Sequence, residues 1–157
     1  MVERLEVVSL RFLQKWPGLL ETTYIFANNL LRLFARWLRP GGKLEKLFSV
    51  GERFSKGLLF DCKMCGDCVL HSTGMTCPMT CPKNLRNGPC GGVRQDGHCE
   101  IIPEMTCVWL QAWERSRKMP VYGGRILNVL PPLDRSLKGT SAWINEFSGR
   151  SEGNSVK

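Results

Sequence analysis

The sequence has 157 residues, enough for one ordinary domain, and a formal net charge of +8. Lysine and arginine are spread along the whole chain and no base-reading motif is present, so no nucleic-acid partner is predicted. No transmembrane span is predicted either, because no run approaches the ~20 consecutive apolar residues that a membrane-crossing helix needs.

The first 60 residues contain no cysteine, and we predict that they form a helical docking arm (residues 1–60). The clearest helix is expected from Thr22 to Arg39, where apolar residues recur at helical spacing beside a narrow basic stripe. Its apolar face is wider than one small domain can cover, which favours burial against a second chain. An ordinary core helix and a helix lying on a membrane surface are the alternatives.

A second amphipathic helix is predicted from Lys43 to Leu59, and it leads directly into the cysteine segment. Its expected apolar face contains Leu47 and Phe54. Its expected polar face contains Glu52 and Lys56.

Residues 61–118 are predicted to form a small cysteine-rich domain built mostly from loops. Gly91-Gly92 and Asp96-Gly97 frame a predicted short hairpin, for which Asp-Gly is a strong turn signal. A further helix is expected from Pro103 to Lys118. The cysteine segment is rich in glycine, proline and polar residues and has too few apolar side chains for a large core. It therefore needs a staple, meaning disulfides or bound metal that hold the segment together.

Residues 119–157 are expected to form an extended C-terminal tail with a short segment around Trp143 and Phe147. Pro131-Pro132 interrupts regular structure in this tail. The predicted fold class is therefore mainly α with irregular loops, in which N-terminal helices are followed by a small metal- or cluster-stapled cysteine-rich domain.

The expected compartment decides which kind of staple is used. Glu6 and Arg11 interrupt the apolar residues near the start of the sequence, so no secretory signal is recognisable and a cytoplasmic location is expected. Disulfides are rare in the reducing cytosol, where closely spaced cysteines indicate metal or cluster ligands.

Eight cysteines are the candidate metal ligands: Cys62, Cys65, Cys68, Cys77, Cys81, Cys90, Cys99 and Cys107. The first three make a C-x2-C-x2-C run, and prolines follow the fourth and fifth. Three thiolates at this spacing with a remote Cys-Pro resemble the way in which bacterial ferredoxins bind a 4Fe-4S cluster. Eight thiolates complete two such clusters.

Zinc is the alternative metal, because eight thiolates equally complete two four-thiolate zinc sites. Zinc sites usually show paired C-x2-C knuckles, and the irregular spacing after Cys68 therefore favours iron-sulfur clusters. A mixed arrangement, of one cluster with one zinc ion or with one structural free thiol, stays open. His71 and His98 lie in the same segment, but with eight cysteines available we expect neither to be a ligand.

The cysteine segment resembles a known family. The sequence LLFDCKMCGDCVLHSTGMTCPMTCPKNLRNGPCGG, followed by DGHCE and CVW, is similar to the cysteine-rich C-terminal domain family of bacterial methylenetetrahydrofolate reductase. The resemblance runs from Gly57 to Trp113, with a weaker match at Pro131-Pro132-Leu133 and from Lys138 to Trp143. All eight cysteines fall at positions similar to those of that family.

The resemblance implies a small partner of the flavin- and folate-binding catalytic subunit that interconverts methylene- and methyl-tetrahydrofolate. A barrel of that kind takes about 250 residues. None of its sequence is present here, and no phosphate-binding loop or nucleophile-base pair is recognisable, so no catalytic residue is predicted.

Two functions follow as expectations from the resemblance and the cysteines. In the first, the chain is an accessory electron-transfer subunit that takes electrons from a redox donor protein and passes them to the flavin. In the second, it is a structural zinc-binding subunit that stabilises the reductase complex without a redox role. A zinc enzyme that activates a thiol substrate would need an open coordination position, against which the surplus of cysteines argues.

Overall fold

The computed structural model describes residues 12–34 and 43–151. Within these ranges the chain is mainly helical and forms no β-strand, so the mainly α prediction is confirmed. The α-helices there are α1 (Pro17–Phe34), α2 (Lys43–Phe60), α3 (Val108–Ser116) and α4 (Ala142–Phe147). Short 3-10 helices lie at Phe12–Lys15, Leu70–Ser72, Pro78–Thr80, Gly123–Leu127 and Arg135–Leu137. None of the described helices is long and apolar enough to span a bilayer.

The two long helices follow their predicted ranges to different degrees. α2 begins as predicted at Lys43 and ends one residue later than predicted, at Phe60. α1 begins at Pro17 rather than at Thr22. Proline is favoured at the first position of a helix, because its φ is already helical and because a backbone N–H at this position would have no hydrogen-bond partner within the helix. The predicted continuation beyond Phe34 lies outside the described residues.

The predicted helix from Pro103 to Lys118 is wrong at its start, because α3 begins only after Cys107. The preceding residues fold back on themselves instead. The Cys99 N–H donates to the Met105 carbonyl at 2.9 Å, and the Cys107 N–H donates to the Gly97 carbonyl at 2.9 Å. These hydrogen bonds draw two cysteines towards each other, which a helix through this segment would prevent.

A tight turn is present at the predicted Asp96-Gly97 position. The Gly97 N–H donates to the Arg94 carbonyl at 2.9 Å, and the Arg94 N–H donates to the His98 carbonyl at 3.0 Å. Gly97 has a φ of +82°, a left-handed conformation that glycine adopts without a steric penalty. The flanking residues form an isolated bridge between His98 and Thr106 rather than two strands, so the predicted hairpin is reduced to its turn.

α1 buries polar side chains and exposes large apolar ones. Glu21 and Asn28 are buried, whereas Phe26 and Leu33 are 68% and 76% exposed. Exposed apolar side chains recur at helical spacing along one side of the helix and include Trp16, the residue just before it. We call this surface the α1 stripe, and it contains Trp16, Leu19, Phe26, Leu30 and Leu33. The helix therefore presents an apolar surface outwards.

α2 shows the same reversal. Glu52 and Lys56, predicted on a polar face, are buried, whereas Leu47 and Phe54, predicted on the apolar face, are 73% and 69% exposed. The predicted orientation of α2 is therefore wrong. The physical reason is that the two charged side chains find partners in the interior, as described below.

α1 is attached to the rest of the chain by polar and aromatic contacts. The buried Glu21 carboxylate accepts hydrogen bonds from the backbone N–H groups of Val121 and Tyr122. The Tyr24 ring stacks on His71, with 6.0 Å between the ring centroids. The helical arm consequently packs against both the cysteine segment and the C-terminal segment.

The core lies inside the cysteine segment itself. Every residue from Gly66 to Met79 is buried, and Met75 is among the least exposed of all. Leu20 of α1, Met119 and Ala142 pack in the same cluster. The segment is thus more deeply buried than its composition predicts, because other parts of the chain supply the apolar side chains that it lacks.

The residues after α3 run back over the cysteine segment. The Gly139 N–H donates to the Met64 carbonyl at 2.8 Å, and the Ser151 hydroxyl donates to the buried Asp67 carboxylate. Leu137 and Ile144 are buried beside them. The C-terminal part is therefore fixed to the residues around the first cysteines.

Candidate metal centre

The eight cysteines divide between two pockets, four to each. Cys62, Cys65, Cys68 and Cys77 line one pocket, which we call the first pocket. Cys81, Cys90, Cys99 and Cys107 line another, which we call the second pocket. These eight cysteines are the metal ligands that the sequence predicts, and the sequence left their grouping open.

The backbone of the first pocket turns sharply after the end of α2. Asp61, Met64 and Gly66 all have positive φ, of 51°, 48° and 79°. A Cβ atom at Gly66 would lie 2.0 Å from the Leu137 carbonyl oxygen, so only glycine fits at this position. These turns bring thiols spaced three residues apart to the wall of one cavity.

The thiols of the first pocket share a desolvated environment. Burial raises the pKa of Cys65 to about 11 and that of Cys77 to about 12, and in both cases the neighbouring Cys68 raises it further. Several thiolates can coexist here only when positive charge compensates them. Thiols in this situation release their protons when a cation binds, so this pocket has the donor chemistry of a metal or cluster site.

Two buried cations supply part of that compensation. Lys56 and Arg86 both line the first pocket and are almost completely buried. Burial acts to lower the pKa of Lys56, but the attraction of Cys68 and then of Glu52 outweighs it, so the pKa lies above its usual value. Lys56 therefore stays protonated beside the thiols.

Each of these cations is held by a carboxylate. The Lys56 ammonium lies 2.6 Å from the Glu52 carboxylate, one helical turn earlier. Arg86 pairs with the buried Asp67, and its Nε donates to the Pro131 carbonyl at 3.0 Å. The positive charges at the pocket are thus fixed in position.

The second pocket is less deeply buried than the first. All four of its cysteines are half-buried, and an exposed ion pair between Lys83 and Glu100 lies at its edge. Cys107 lies at the N-terminus of α3, and the chain reversal described above brings it close to Cys99. The pocket can therefore hold a charged group near the surface.

A single turn of 3-10 helix connects the two pockets. The Thr80 N–H donates to the Cys77 carbonyl at 3.2 Å, and the Cys81 N–H donates to the Pro78 carbonyl at 3.1 Å. Cys77 of the first pocket and Cys81 of the second are the two ends of this turn. The two prolines that follow these cysteines restrict the connection further.

No three His, Cys, Asp or Glu side chains in the described part of the chain are arranged to hold a metal ion, so the predicted metal-stapled domain is not shown. Each pocket is nevertheless lined by four thiols, which is the number of ligands that both a tetrahedral zinc ion and a 4Fe-4S cluster need.

Neither histidine of the cysteine segment lines either pocket. His71 is buried between Tyr24 and Tyr122, and burial together with the nearby Arg125 lowers its pKa to about 4. His98 is partly exposed, and its Nδ1 lies 3.2 Å from the Asp96 carbonyl oxygen. That neither histidine is a ligand stays a prediction.

Sequence reasoning missed the part that Glu52 and Lys56 play at the first pocket. Their only signal is a spacing of four residues, which exposed ion pairs on helices share. Nothing in that spacing indicates which side of the helix faces the interior.

Comparison with known proteins gives a family. No curated protein and no solved structure matches the chain. A model of the family described as methylene-tetrahydrofolate reductase C terminal matches residues 42–136, a range that contains all eight cysteines and more than half of the chain. The match confirms the resemblance of the cysteine segment. The chain therefore belongs to the methylene-tetrahydrofolate reductase C-terminal family.

Proposed function

We propose that this chain is an accessory electron-transfer subunit of a methylenetetrahydrofolate reductase-type flavoenzyme and that each cysteine pocket binds one 4Fe-4S cluster. The observation that supports this most is the division of the eight cysteines into two sets of four, with none left over. A 4Fe-4S cluster needs four thiolate ligands. Family membership supports the link to the reductase.

In this proposal the first pocket supplies Cys62, Cys65, Cys68 and Cys77 as ligands, and the second supplies Cys81, Cys90, Cys99 and Cys107. A bound cluster would accept and release single electrons between a redox donor protein and the flavin of the catalytic subunit. The residues of this chain bind the cluster, exclude water from the first pocket and hold Lys56 and Arg86 against the thiolates. No residue of the chain is assigned a catalytic role.

The catalytic subunit is the proposed partner of the α1 stripe. The family links this chain to the reductase, and the stripe offers large exposed apolar side chains on a helix that buries Glu21 and Asn28 instead. Exposed apolar patches of this kind mark protein-interaction sites. The helices of residues 1–60 would then connect the cysteine pockets to the enzyme that uses their electrons.

A structural zinc subunit is the second candidate. Four cysteines at each pocket also make the complete ligand set of a closed structural zinc site. Zinc has no redox chemistry, so in this case the metals would maintain only the shape that the catalytic subunit recognises.

Metal analysis of anaerobically purified protein separates the two candidates. We expect about eight iron and eight sulfide ions per chain for two 4Fe-4S clusters, and visible absorption that bleaches with dithionite. Stoichiometric zinc without iron or bleaching would overturn the electron-transfer function and leave the structural one. Co-purification with the flavin-bearing subunit tests the partner separately.

A further inference from the structure

Lys56 is a buried ammonium group at the wall of the first pocket. Its side chain lies between the Glu52 carboxylate, 2.6 Å from Nζ, and the face of the Trp143 ring, 4.2 Å from Nζ to the ring centroid. The four cysteines of the first pocket line the same cavity. A positive charge thus lies at the wall of the pocket that the four thiols share.

The partners of Lys56 are themselves held in place. Glu52 accepts a hydrogen bond from the Ser141 hydroxyl, and Ser141 caps α4 by accepting from the Ile144 N–H at 3.2 Å. Both Glu52 and Ser141 are buried. Because α4 fixes the carboxylate, and the carboxylate and Trp143 fix the ammonium, Lys56 cannot swing away from the pocket.

Stability does not account for this arrangement. The desolvation of two buried charges roughly offsets their attraction, and apolar pairs of similar volume are often at least as stable. The net charge of the chain does not require a buried lysine either, because an exposed lysine contributes the same charge. The buried position of Lys56 is explained if its charge acts on the group that the first pocket binds.

This inference rests on the proposed function. We infer that Lys56 is the fixed positive charge that raises the reduction potential of the cluster bound by the first pocket, and that Glu52 and Trp143 position it. Reduction adds an electron to a thiolate-ligated cluster that already carries net negative charge. A nearby buried cation favours that reduced state, because the attraction between opposite charges is strong where water is excluded.

The test measures the midpoint potential by redox titration followed by electron paramagnetic resonance, on the full chain in complex with its catalytic subunit. In Lys56→Met, the equilibrium constant for one-electron reduction should fall at least tenfold for one of the two clusters, which gives half of the signal. This corresponds to a midpoint potential lower by at least about 59 mV. Lys63→Met is the matched control, because Lys63 follows Cys62 directly but is exposed and pairs with Asp61. This control should change the constant less than twofold.

Two further variants keep the inference decidable if Lys56→Met loses its iron. Lys56→Arg keeps the charge and should keep the potential close to that of the wild type. Glu52→Gln removes the opposing negative charge and should shift the potential in the other direction, towards the reduced state.

The outcomes separate this inference from the function on which it rests. An unchanged potential in Lys56→Met at full iron content, or an equal shift in Lys63→Met, would overturn the role of Lys56 alone. If Lys56→Met does not bind its clusters, an unchanged midpoint potential in Glu52→Gln would likewise overturn the role of Lys56. A wild-type chain that holds only zinc would overturn the proposed function and this inference together.

Discussion

The side-chain amide of Asn145 in α4 donates a hydrogen bond to the backbone carbonyl of Gly66 at 2.8 Å, and both residues are buried. Gly66 directly follows Cys65, so this bond ties the last helix to the loop that carries the first pocket. The same amide donates to the Thr140 hydroxyl at 2.7 Å. A residue outside the matched range 42–136 therefore helps to hold the proposed ligands.

Asn145→Ala should destabilise the protein and loosen the first pocket. The substitution leaves the buried Gly66 carbonyl without its donor, which costs about 1–3 kcal/mol. Denaturant unfolding of the metal-loaded chain measures this loss. Asn29→Ala, at an exposed position of α1, is the control and should stay within about 0.5 kcal/mol of the wild type. Equal stability of the two variants would show that the bond to Gly66 contributes little.

Serine substitutions should separate the two pockets. Cys65→Ser removes a proposed ligand of the first pocket and Cys99→Ser a proposed ligand of the second, so each should lose about half of the iron and sulfide. Cys65→Ser should also lose protease resistance, because bound metal supplies folding free energy to this segment. His98→Ala is the control and should keep both metal and protection. A Cys65→Ser protein with full metal content would show that Cys65 is not a ligand.

His71 should make folding stability depend on pH below neutrality. Its folded-state pKa of about 4 lies below the usual value of 6.5, so the unfolded chain binds the proton more tightly. Stability from this group is complete above pH 6.5 and is lost progressively as the pH falls towards 4. At pH 5.5 the loss should be roughly 1 kcal/mol relative to pH 7.5.

The matched variant for this prediction is His71→Phe, which keeps a ring between Tyr24 and Tyr122 but cannot be protonated. Unfolding curves of both proteins at pH 7.5 and 5.5 give the comparison. The variant should lose about 1 kcal/mol less than the wild type over this range. Identical losses would show that His71 is not the titrating group.

The α1 stripe should be required for binding to the catalytic subunit. Phe26→Ser combined with Leu33→Ser removes two exposed apolar side chains and should weaken co-purification at least tenfold without lowering the stability of the isolated chain. Val129→Ser, at another exposed apolar position, is the control. If the double variant binds the catalytic subunit as tightly as the wild type, docking through the stripe is contradicted. If the wild-type chain binds liposomes and the double variant does not, the stripe binds a membrane surface instead.

Deleting the residues before Lys43 is a less specific test than these substitutions. α1 contributes Leu20 to the core and Glu21 to the backbone of the C-terminal segment, so a truncated chain loses packing as well as the stripe. Point substitutions on the exposed side of the helix leave those contacts intact.

Periodicity predicted where α2 begins and ends, because helical spacing and the breaks around it are local properties of the chain. It could not predict which side of α2 faces inwards. Glu52 and Lys56 are buried because Ser141, nearly ninety residues away, and the first pocket offer them partners, and no pattern within the helix records these. The cysteine positions were likewise readable from the sequence, whereas their grouping depends on the reversal between Cys99 and Cys107, which is a tertiary feature.

The outward-facing apolar side chains of α1 and α2 also bear on how the cell produces this polypeptide. A copy synthesised without the proposed partner would expose Phe26, Leu33, Leu47 and Phe54 to water, and such surfaces attract one another and promote aggregation. An orphan copy is then a substrate for chaperones and proteases. If the proposed complex forms, matched synthesis of the two subunits, rather than the intrinsic stability of this chain, sets how much of the chain accumulates.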